Sequence, residues 1–306
     1  MKYLLIGGCG FIGQALTKSL LLDNHDVVVI DNLSTSPPQK PHMRYVRIVA
    51  ESAQQCAELN TLVQWADVVY FLAGSVGVAR VTSEPFDTMV NNLELATAVI
   101  GACQMHNKYV VFFSTSEVYH DGPYTESDEA HMPTNSPRWG YASAKLTTEF
   151  LIRSADIPYK IVRLFNVTGP GQLGTHGMVL PRFIQAAKNN QPLFVNGSGE
   201  QIRSFMHVED ACSMIRSIEQ IPTSDTFNIG SPLVENTISI INLAKLVVNM
   251  THSASDIVCC DSTALYGVDC QDINNRRPNM TKTMNAIQHI SMYTLRNIID
   301  DMVNYD

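Results

Sequence analysis

The sequence predicts an α/β fold in which a doubly wound parallel sheet is followed by a smaller C-terminal α/β lobe. Short apolar runs alternate with helical stretches over the first half of the chain, and a glycine-rich loop directly follows the first run. A Gly/Pro-rich segment from Thr168 to Gly177 then ends the alternation. Such alternation produces parallel strands joined by right-handed crossovers, with ligands bound at the carboxyl ends of the strands.

Each predicted strand is a short apolar run, as expected for a strand buried on both faces. These runs span residues 2–6, 26–30, 44–49, 67–72, 109–114 and 159–165. Helical periodicity predicts helices over 85–106 and 140–155. In the second half we expect helices near 180–190, 237–249 and 291–303, with short strands between them.

Composition narrows the kind of protein. Of the 306 residues, 45% are hydrophobic and 16% are charged, which is ordinary for a globular chain. A net charge of -8 disfavours nucleic acids and anionic membranes as partners, because these select for excess Lys and Arg. The seven cysteines show no Cys-x-x-Cys spacing and no secretory leader is apparent, so we expect reduced thiols and a cytoplasmic location. His207 has no second ligand at useful spacing; it is expected to cap or pack, and no metal site is predicted.

The glycine loop lies directly between the first predicted strand and a predicted helix, and we expect Gly7, Gly10, Phe11, Ile12 and Gly13 to bind the cofactor. Glycines let the backbone approach a pyrophosphate, whose charge the helix amino terminus stabilises. The alternative is a tight βα turn without a ligand. We expect a Rossmann-type NAD-binding domain over 1–166, together with 200–229, and a substrate-binding lobe over 167–199 and 230–306.

Asp31 ends the second strand about 20 residues beyond the loop, where a carboxylate can accept hydrogen bonds from the adenosine ribose. The segment 31–40, which includes Asn32, contains no arginine for a ribose phosphate. The expected cofactor is therefore NAD and not NADP. The alternative for Asp31 is a residue that forms the turn at the strand end.

Tyr141 and Lys145 lie one helical turn apart on one face of the predicted helix 140–155. A neighbouring cation lowers a phenol's pKa, so Tyr141 is a candidate general base toward a sugar hydroxyl, and Lys145 can also hold the nicotinamide ribose. An exposed helix pair with no role in catalysis is the alternative.

The chain resembles the extended short-chain dehydrogenase/reductases, specifically the nucleotide-sugar epimerase/dehydratase family. Besides the glycine loop and Tyr141/Lys145, the resemblance rests on several motifs along nearly the whole length. These are Phe71-Leu72-Ala73-Gly74, Ser114-Thr115-Ser116-Glu117-Val118-Tyr119, Arg163-Leu164-Phe165-Asn166, Gly169-Pro170, Gly199 to His207, and Arg276-Arg277-Pro278.

The resemblance implies that Thr115 hydrogen-bonds the sugar C4 oxygen, that Tyr141 removes the hydroxyl proton and that hydride passes from C4 to NAD. It places Leu72, Ala73 and Gly74 at the cofactor. It places the following residues around a nucleotide-sugar substrate, expected to be UDP-linked: Asn166, Val179, Phe194, Arg203 and Arg276. The helices 85–106 and 140–155 match the pair through which relatives form homodimers.

The second reaction step depends on Ser116-Glu117. Dehydratases of the family have Asp-Glu there, and simple 4-epimerases often have a small or neutral residue instead of the glutamate. Thr115 to Tyr119 and Pro137-Arg138-Trp139 most resemble UDP-glucuronate decarboxylases. The run from Tyr266-Gly267 through Gln271-Asp272 to Arg276-Arg277-Pro278 is similar to the carboxyl-terminal signature of some of those enzymes and of a broader set of nucleotide-sugar epimerases. Decarboxylation is therefore the leading hypothesis.

The alternatives are a UDP-sugar 4-epimerase, a nucleotide-sugar 4,6- or 5,6-dehydratase, and, from another class, an inactive NAD-sensing or scaffold protein. Three departures from the family pattern are His120 after Val-Tyr, Gly171 after Gly169-Pro170, and Ala50-Glu51 where an acidic-hydrophobic pair usually meets adenine.

Overall fold

The computed structural model describes residues 1–75, 77–119, 122–124, 133, 136–174, 177–261, 263, 272–288 and 291–305. Its centre is a seven-stranded sheet in the order β12-β7-β5-β4-β1-β2-β3, and every pairing in it is parallel. The strands are β1 (Lys2–Ile6), β2 (Asp26–Ile30), β3 (Arg47–Val49), β4 (Val68–Phe71), β5 (Tyr109–Thr115), β7 (Tyr159–Leu164) and β12 (Asp225–Ile229). The predicted α/β fold class is confirmed.

Helices cover both faces of this sheet, because most strand residues are apolar and face a core on either side. One core includes α1 (Phe11–Leu22) and α7 (Val208–Glu219). The opposite core includes α2 (Leu59–Trp65), α4 (Pro85–Met105) and α5 (Gly140–Ser154), and the short α3 (Val78–Ser83) precedes α4. The two long predicted helices thus form within one residue of the expected ends.

A smaller unit is built on a four-stranded sheet in the order β13-β10-β15-β6. Its strands are β13 (Thr237–Ser239), β10 (Ile202–Ser204), β15 (Asn275–Pro278) and β6 (Gly122–Tyr124). Two further strand pairs join β8 (Val167–Thr168) to β11 (Met206–His207) and β9 (Leu193–Asn196) to β14 (Ile257–Cys260). A third apolar core lies among α6 (Val179–Lys188), α8 (Ile240–Met250) and α10 (Leu295–Val303), and α9 spans Thr281–Ala286.

The structure differs from the sequence predictions at several elements. Residues Pro41–Tyr45 form a 3-10 helix, so the third strand begins only at Arg47. Residues Thr237–Ser239 pair with β10 as a strand before α8 begins, where a continuous helix was expected. β10 belongs to the four-stranded sheet, although the residues from 200 were expected in the NAD-binding domain.

His207 lies at the start of α7. His207 caps α7 by accepting a hydrogen bond from the backbone nitrogen of Glu209, and its ring stacks on Tyr293. In the described part of the chain, no helix combines the length and apolarity needed to cross a membrane.

Candidate active site

The site is a cavity of about 520 Å³ at the carboxyl ends of the parallel strands, where the two units of the fold meet. Seventeen of the twenty residues selected from the sequence line it. They are Gly7, Gly10, Phe11, Ile12, Gly13, Asp31, Asn32, Leu72, Ala73, Gly74, Thr115, Glu117, Tyr141, Lys145, Asn166, Val179 and Arg276. Residues up to 269 positions apart in the chain therefore share one cavity, because they come from the ends of strands, from α5 and from the smaller unit.

The glycine loop forms a cradle that no side chain could share. Gly7 has φ of 86°, and a Cβ there would lie 2.5 Å from the backbone nitrogen of Ala73. A Cβ on Gly13 would lie 2.6 Å from the Cα of Gly8. Gly10 is the N-cap of α1, so the amino end of this helix, whose first N–H groups lack partners within the helix, faces the cavity. This cradle fits the pyrophosphate of a dinucleotide.

Asp31 connects the glycine loop to the loop that follows β2. Its Oδ2 accepts a hydrogen bond from Cys9 N at 2.9 Å, and its Oδ1 accepts one from Leu33 N at 2.8 Å. Oδ1 also accepts a hydrogen bond from Ser36 Oγ at 3.3 Å. The carboxylate is thereby held in the cavity wall, and Oδ2 can accept a further bond from a ribose hydroxyl.

The adenosine end of the cavity has lining residues that the sequence reasoning did not select. They are Ser34, Thr35 and Ser36 after β2, and Glu51, Ser52, Ala53 and Gln54 after β3. Their only sequence signal is that they follow predicted strands, since the acidic-hydrophobic pair typical of the family is absent here. Small polar side chains therefore replace that pair at this end.

Lys145 is 5% exposed, and its Nζ donates to the carbonyl oxygen of Phe113 at 2.9 Å. The ammonium also lies 4.7 Å from the centre of the Phe112 ring. Burial lowers the pKa of Lys145 to about 7. The strand β5 therefore fixes the lysine directly beneath the cavity floor.

Tyr141 is hydrogen-bonded to Thr115, and both line the cavity. Burial and the negative charge of Glu117 raise the pKa of Tyr141, whereas Arg276, Arg138 and the Thr115 hydroxyl act to lower it. The cations that act most strongly on the phenol are Arg276 and Arg138, and an effect of Lys145 on this pKa stays a prediction. The phenol, threonine and lysine are nonetheless brought together at one wall.

Glu117 is 8% exposed and lies between two arginines. Its Oε2 accepts from Arg138 Nη1 at 2.9 Å, and its Oε1 accepts from Arg138 Nη2 and from Arg276 Nη1, both at 3.2 Å. Arg276 Nη2 also donates to Asn166 Oδ1 at 2.8 Å. Burial alone would raise the pKa of Glu117, but the two arginines lower it to about 2. Arg138, which the sequence reasoning used only for resemblance, is thus part of the site.

Three selected residues lie outside the cavity wall. Ser116 is buried beside Glu117, and Phe194 is exposed on β9. Arg203 donates to Asp272 Oδ1 at 2.6 Å and to the carbonyl oxygen of Ile273 at 2.7 Å. Its charge is therefore already paired, although it lies close enough to Arg276 and Glu117 to interact electrostatically with both. His120, Tyr266, Gly267 and Gln271, used for the resemblance, lie outside the described residues.

A buried glutamate holds the catalytic helix on the sheet. Glu149, one turn after Lys145, accepts hydrogen bonds from Ser114 Oγ at 2.6 Å and from Arg163 Nη2 at 2.7 Å. Ser114 directly precedes Thr115 on β5, and Arg163 lies on β7. The hydrogen bond from Ser114 therefore connects α5 with the strand that carries Thr115, and the ion pair with Arg163 connects α5 with β7. In the described part of the chain, no three His, Cys, Asp or Glu side chains lie together as a metal site requires.

Comparison with known proteins identifies related chains over nearly this whole length. A model of the family "NAD dependent epimerase/dehydratase" matches residues 3–230. A UDP-N-acetyl-alpha-D-glucosaminuronate decarboxylase of Bacillus cytotoxicus is 33% identical over 94% of this chain and 92% of its own. A UDP-glucuronic acid decarboxylase 1 of Xenopus tropicalis is 27% identical over 84% of this chain, and the match spans 62% of that relative's length.

Among solved structures, a UDP-glucuronic acid 4-epimerase from Bacillus cereus, in complex with UDP-glucuronic acid and NAD, is 25% identical. The alignment has a TM-score of 0.86 and covers 100% of this chain and 98% of that one. Relatives with this fold therefore include proteins named for decarboxylation and for epimerisation of UDP-linked uronic acids.

Proposed function

Because the chain belongs to the NAD-dependent epimerase/dehydratase family, we propose that it decarboxylates a UDP-linked hexuronic acid through a transient 4-keto intermediate. It is an NAD-dependent enzyme that modifies a nucleotide sugar. The proposal concerns the sugar and the second step of the reaction.

The observation that carries the proposal is the arginine pair around Glu117. Arg276 lines the cavity beside Thr115 and Tyr141, which places a cation near the position where the sugar ring reacts. Arg276 and Arg138 together outweigh the single charge of Glu117. A surplus positive charge in a partly buried site favours an anionic substrate group, such as the carboxylate of a uronic acid.

Oxidation at C4 begins with proton removal by Tyr141. Thr115 orients the C4 hydroxyl toward the phenol oxygen, and the arginines and Thr115 stabilise the phenolate that precedes proton uptake. Gly7 to Gly13, Asp31 and Lys145 would hold NAD, which when bound would supply the acceptor, and later the donor, of the C4 hydride. Tyr141 keeps the proton until the ketone is reduced again.

Loss of carbon dioxide follows from the chemistry of the 4-keto acid, because the carboxylate is β to the ketone. The electrons of the C5–C6 bond move toward C5 and the C4 oxygen, and carbon dioxide leaves. Tyr141, now protonated, and Thr115 donate hydrogen bonds to the enolate oxygen that results. C5 then takes a proton from solvent before C4 is reduced.

Two other second steps are less well supported by the site. Elimination of water needs an acid for the leaving hydroxyl, and the residue beside Glu117 is Ser116, which does not line the cavity. A 4-epimerase needs room to turn the keto sugar. It does not need a buried carboxylate held by two arginines, such as that of Glu117. The likeness to the Bacillus cereus 4-epimerase nevertheless makes epimerisation the second candidate.

We also propose that the chain forms a homodimer through α4 and α5, which pack against each other. Phe86 on α4 is 77% exposed and Phe150 on α5 is 61% exposed. Large apolar side chains on neighbouring helices are typical of a surface covered by a second subunit. A cytoplasmic location is proposed as well, and the six cysteines that the structure describes are free thiols.

Incubation with NAD and a panel of UDP-sugars tests the proposed reaction. The panel contains UDP-glucuronate, UDP-N-acetylglucosaminuronate and UDP-glucose, with product masses read by mass spectrometry. We expect a uronate to give a product lighter by one carbon dioxide, and UDP-glucose to give none. A product of unchanged mass would indicate epimerisation instead, and a product lighter by one water would indicate dehydration.

A further inference from the structure

Arg138 is a buried arginine that adds positive charge to the proposed site and also makes a specific contact with Glu117. It is 6% exposed and lies in the 3-10 turn Pro137–Trp139 that leads directly into α5. Its guanidinium donates one hydrogen bond to each oxygen of Glu117, at 2.9 and 3.2 Å. A two-pronged contact of this kind fixes the rotation of the carboxylate as well as its position.

Arg138 does not reach the cavity, although both Glu117 and Arg276 line it. Its two hydrogen bonds to Glu117 therefore connect Arg138 to the cavity wall, and through that carboxylate it can influence the position of a substrate. Because Oε1 of Glu117 is shared between Arg138 and Arg276, a rotation of the carboxylate would break the 3.2 Å contact to Arg276. The arginines and Asn166 thus form one connected series of contacts that ends in the cavity wall.

Decarboxylation makes a stricter demand on geometry than C4 oxidation does. The bond to the carboxylate must stand nearly perpendicular to the C4 carbonyl plane, so that its electrons can enter the ketone system. Arg276 is the cavity cation that can hold the carboxylate in this orientation, and its own position depends on Glu117 and Asn166. A small displacement of such a group lowers a rate steeply.

We propose that Arg138 is a positioning residue, which locks Glu117 against Arg276 and thereby commits the 4-keto uronate to loss of carbon dioxide instead of return as a 4-epimer. This inference rests on the proposed function. It assigns Arg138 no contact with substrate or cofactor.

The same contacts give a signature in the pH dependence. The two arginines hold the pKa of Glu117 at about 2, so that this carboxylate stays charged near neutral pH. Arg138 also acts to lower the pKa of Tyr141, against burial and the charge of Glu117. Without Arg138 the pKa of Tyr141 rises further, and the acid limb of the pH–rate profile moves to higher pH. A residue that only supports the fold would lower activity without this displacement.

The test is a double-mutant cycle in the full-length protein with NAD and the UDP-uronate that the wild type decarboxylates. The variants are Arg138→Met, Arg138→Lys, Glu117→Gln and each Arg138 change combined with Glu117→Gln, and Arg296→Met at an exposed site serves as control. For Arg138→Met we expect kcat for carbon dioxide release to fall about 100-fold with NAD affinity unchanged. The fraction of 4-epimer among the products should rise, and the acid limb should shift upward.

Arg138→Lys preserves the charge but cannot make two parallel bonds, so we expect kcat to remain at least about tenfold below the wild type. In the Glu117→Gln background, either Arg138 change should lower kcat, measured at the pH optimum of each variant, by less than about twofold, because the residue through which Arg138 positions Arg276 is already altered. If Arg138→Met does not fold, as judged by NAD binding and thermal unfolding, the Arg138→Lys cycle decides the question alone.

In an enzyme that releases carbon dioxide, two results would overturn the positioning role. One is a fall in kcat in the double variant equal to the product of the falls in the two single variants. The other is a product ratio and a pH profile that do not change when Arg138 is replaced. A wild type that releases none from either uronate would instead overturn the proposed function, and this inference with it.

Discussion

Opposing electrostatic effects act on the pKa of the Tyr141 phenol. Burial and Glu117 raise the pKa of its phenol, while Arg276, Arg138 and the Thr115 hydroxyl lower it. Arg276 and Arg138 are thus cations that act on the phenol, whereas the Nζ of Lys145 donates to the carbonyl oxygen of Phe113. Arg276, which we propose to hold the substrate carboxylate, thus also influences the pKa of the proposed general base, Tyr141.

Tyr141→Phe removes only the proton-accepting oxygen. We expect NAD affinity within about twofold of the wild type and turnover reduced at least about 1000-fold, since general-base catalysis contributes roughly 100- to 10000-fold. Calorimetric titration of NAD and product analysis would measure the two quantities. Turnover near the wild-type rate would remove Tyr141 from the mechanism.

Lys145 makes a prediction for stability against pH. Burial lowers its pKa to about 7, so the folded protein binds fewer protons at this site than the unfolded chain between pH 7 and the ordinary lysine pKa near 10.5. Burial of the charged lysine therefore lowers the free energy of unfolding by its largest amount below about pH 7, and this destabilisation decreases as pH rises toward about 10.5.

Lys145→Met removes that cost. At pH 6, without added NAD, we expect the free energy of unfolding to rise by about 3 kcal/mol, after allowing for the lost hydrogen bond to Phe113. The gain should disappear near pH 10, and urea unfolding at both pH values measures it. A variant less stable than the wild type at pH 6 would show that the lysine is not buried as a costly cation.

At the scale of elements, the site depends on how α5 lies against β5. Glu149 is fully buried and joins Ser114 and Arg163, so its ion pair sets Tyr141 and Lys145 opposite Thr115. Burial alone would raise the pKa of Glu149, but hydrogen bonds from Arg163 and Ser114 keep it lowered. The carboxylate therefore remains charged in the folded state.

Glu149→Gln leaves the Arg163 charge buried without its counterion. Breaking a buried pair in this way costs about 3–5 kcal/mol. Urea unfolding should show a loss of this size, whereas Glu94→Gln, at an exposed position of α4, should change stability by less than about 0.5 kcal/mol. Equal small effects in both variants would contradict the structural role assigned to Glu149.

The elements that the sequence predicted best are those governed by local pattern. β1 and β2 form over the predicted residues because each is a continuous apolar run between polar ends. The strand Thr237–Ser239 was missed since nothing in the sequence separates it from α8; its pairing with β10 is a contact between distant segments. β6, β10 and β15 come from three parts of the chain, and no local pattern indicates that they pair.

Site residues, too, could be predicted where local sequence determines their position. Residues at strand ends, such as Asp31 and Thr115, could be selected from motif spacing because parallel strands gather their carboxyl ends at one edge. The pairing of Arg138 with Glu117 could not, since it depends on the 3-10 turn that aims the arginine back at β5. Arg203 was selected by motif alone, and its pairing with Asp272 was visible only in the folded chain.

At the scale of the whole molecule, the cavity lies between two units with separate cores, so that catalytic residues of the sheet face Asn166 and Arg276 from beyond it. The helix α5 contributes Tyr141 and Lys145 to the cavity wall and packs against α4. Phe86 on α4 and Phe150 on α5 are exposed. Association through these helices would brace α5, which carries Tyr141 and Lys145.

Phe150→Glu places a charge in the proposed dimer surface. We expect analytical ultracentrifugation to show a dimer for the wild type and a monomer for the variant, because an unpaired charge is strongly disfavoured in an apolar interface. Leu22→Glu, at an exposed apolar position on α1, is the matched control and should leave the dimer intact. A wild-type monomer, or a Phe150→Glu dimer, would contradict the proposed surface.

In the proposed reaction, one site oxidises C4, removes the carboxylate and reduces C4 again with the same hydride. Giving the wild type a UDP-hexuronate deuterated at C4 and measuring the mass of the product tests this sequence of steps. We expect a UDP-pentose lighter by one carbon dioxide that retains the deuterium at C4. A product that keeps its carboxylate, or one that has lost the deuterium to solvent, would contradict it.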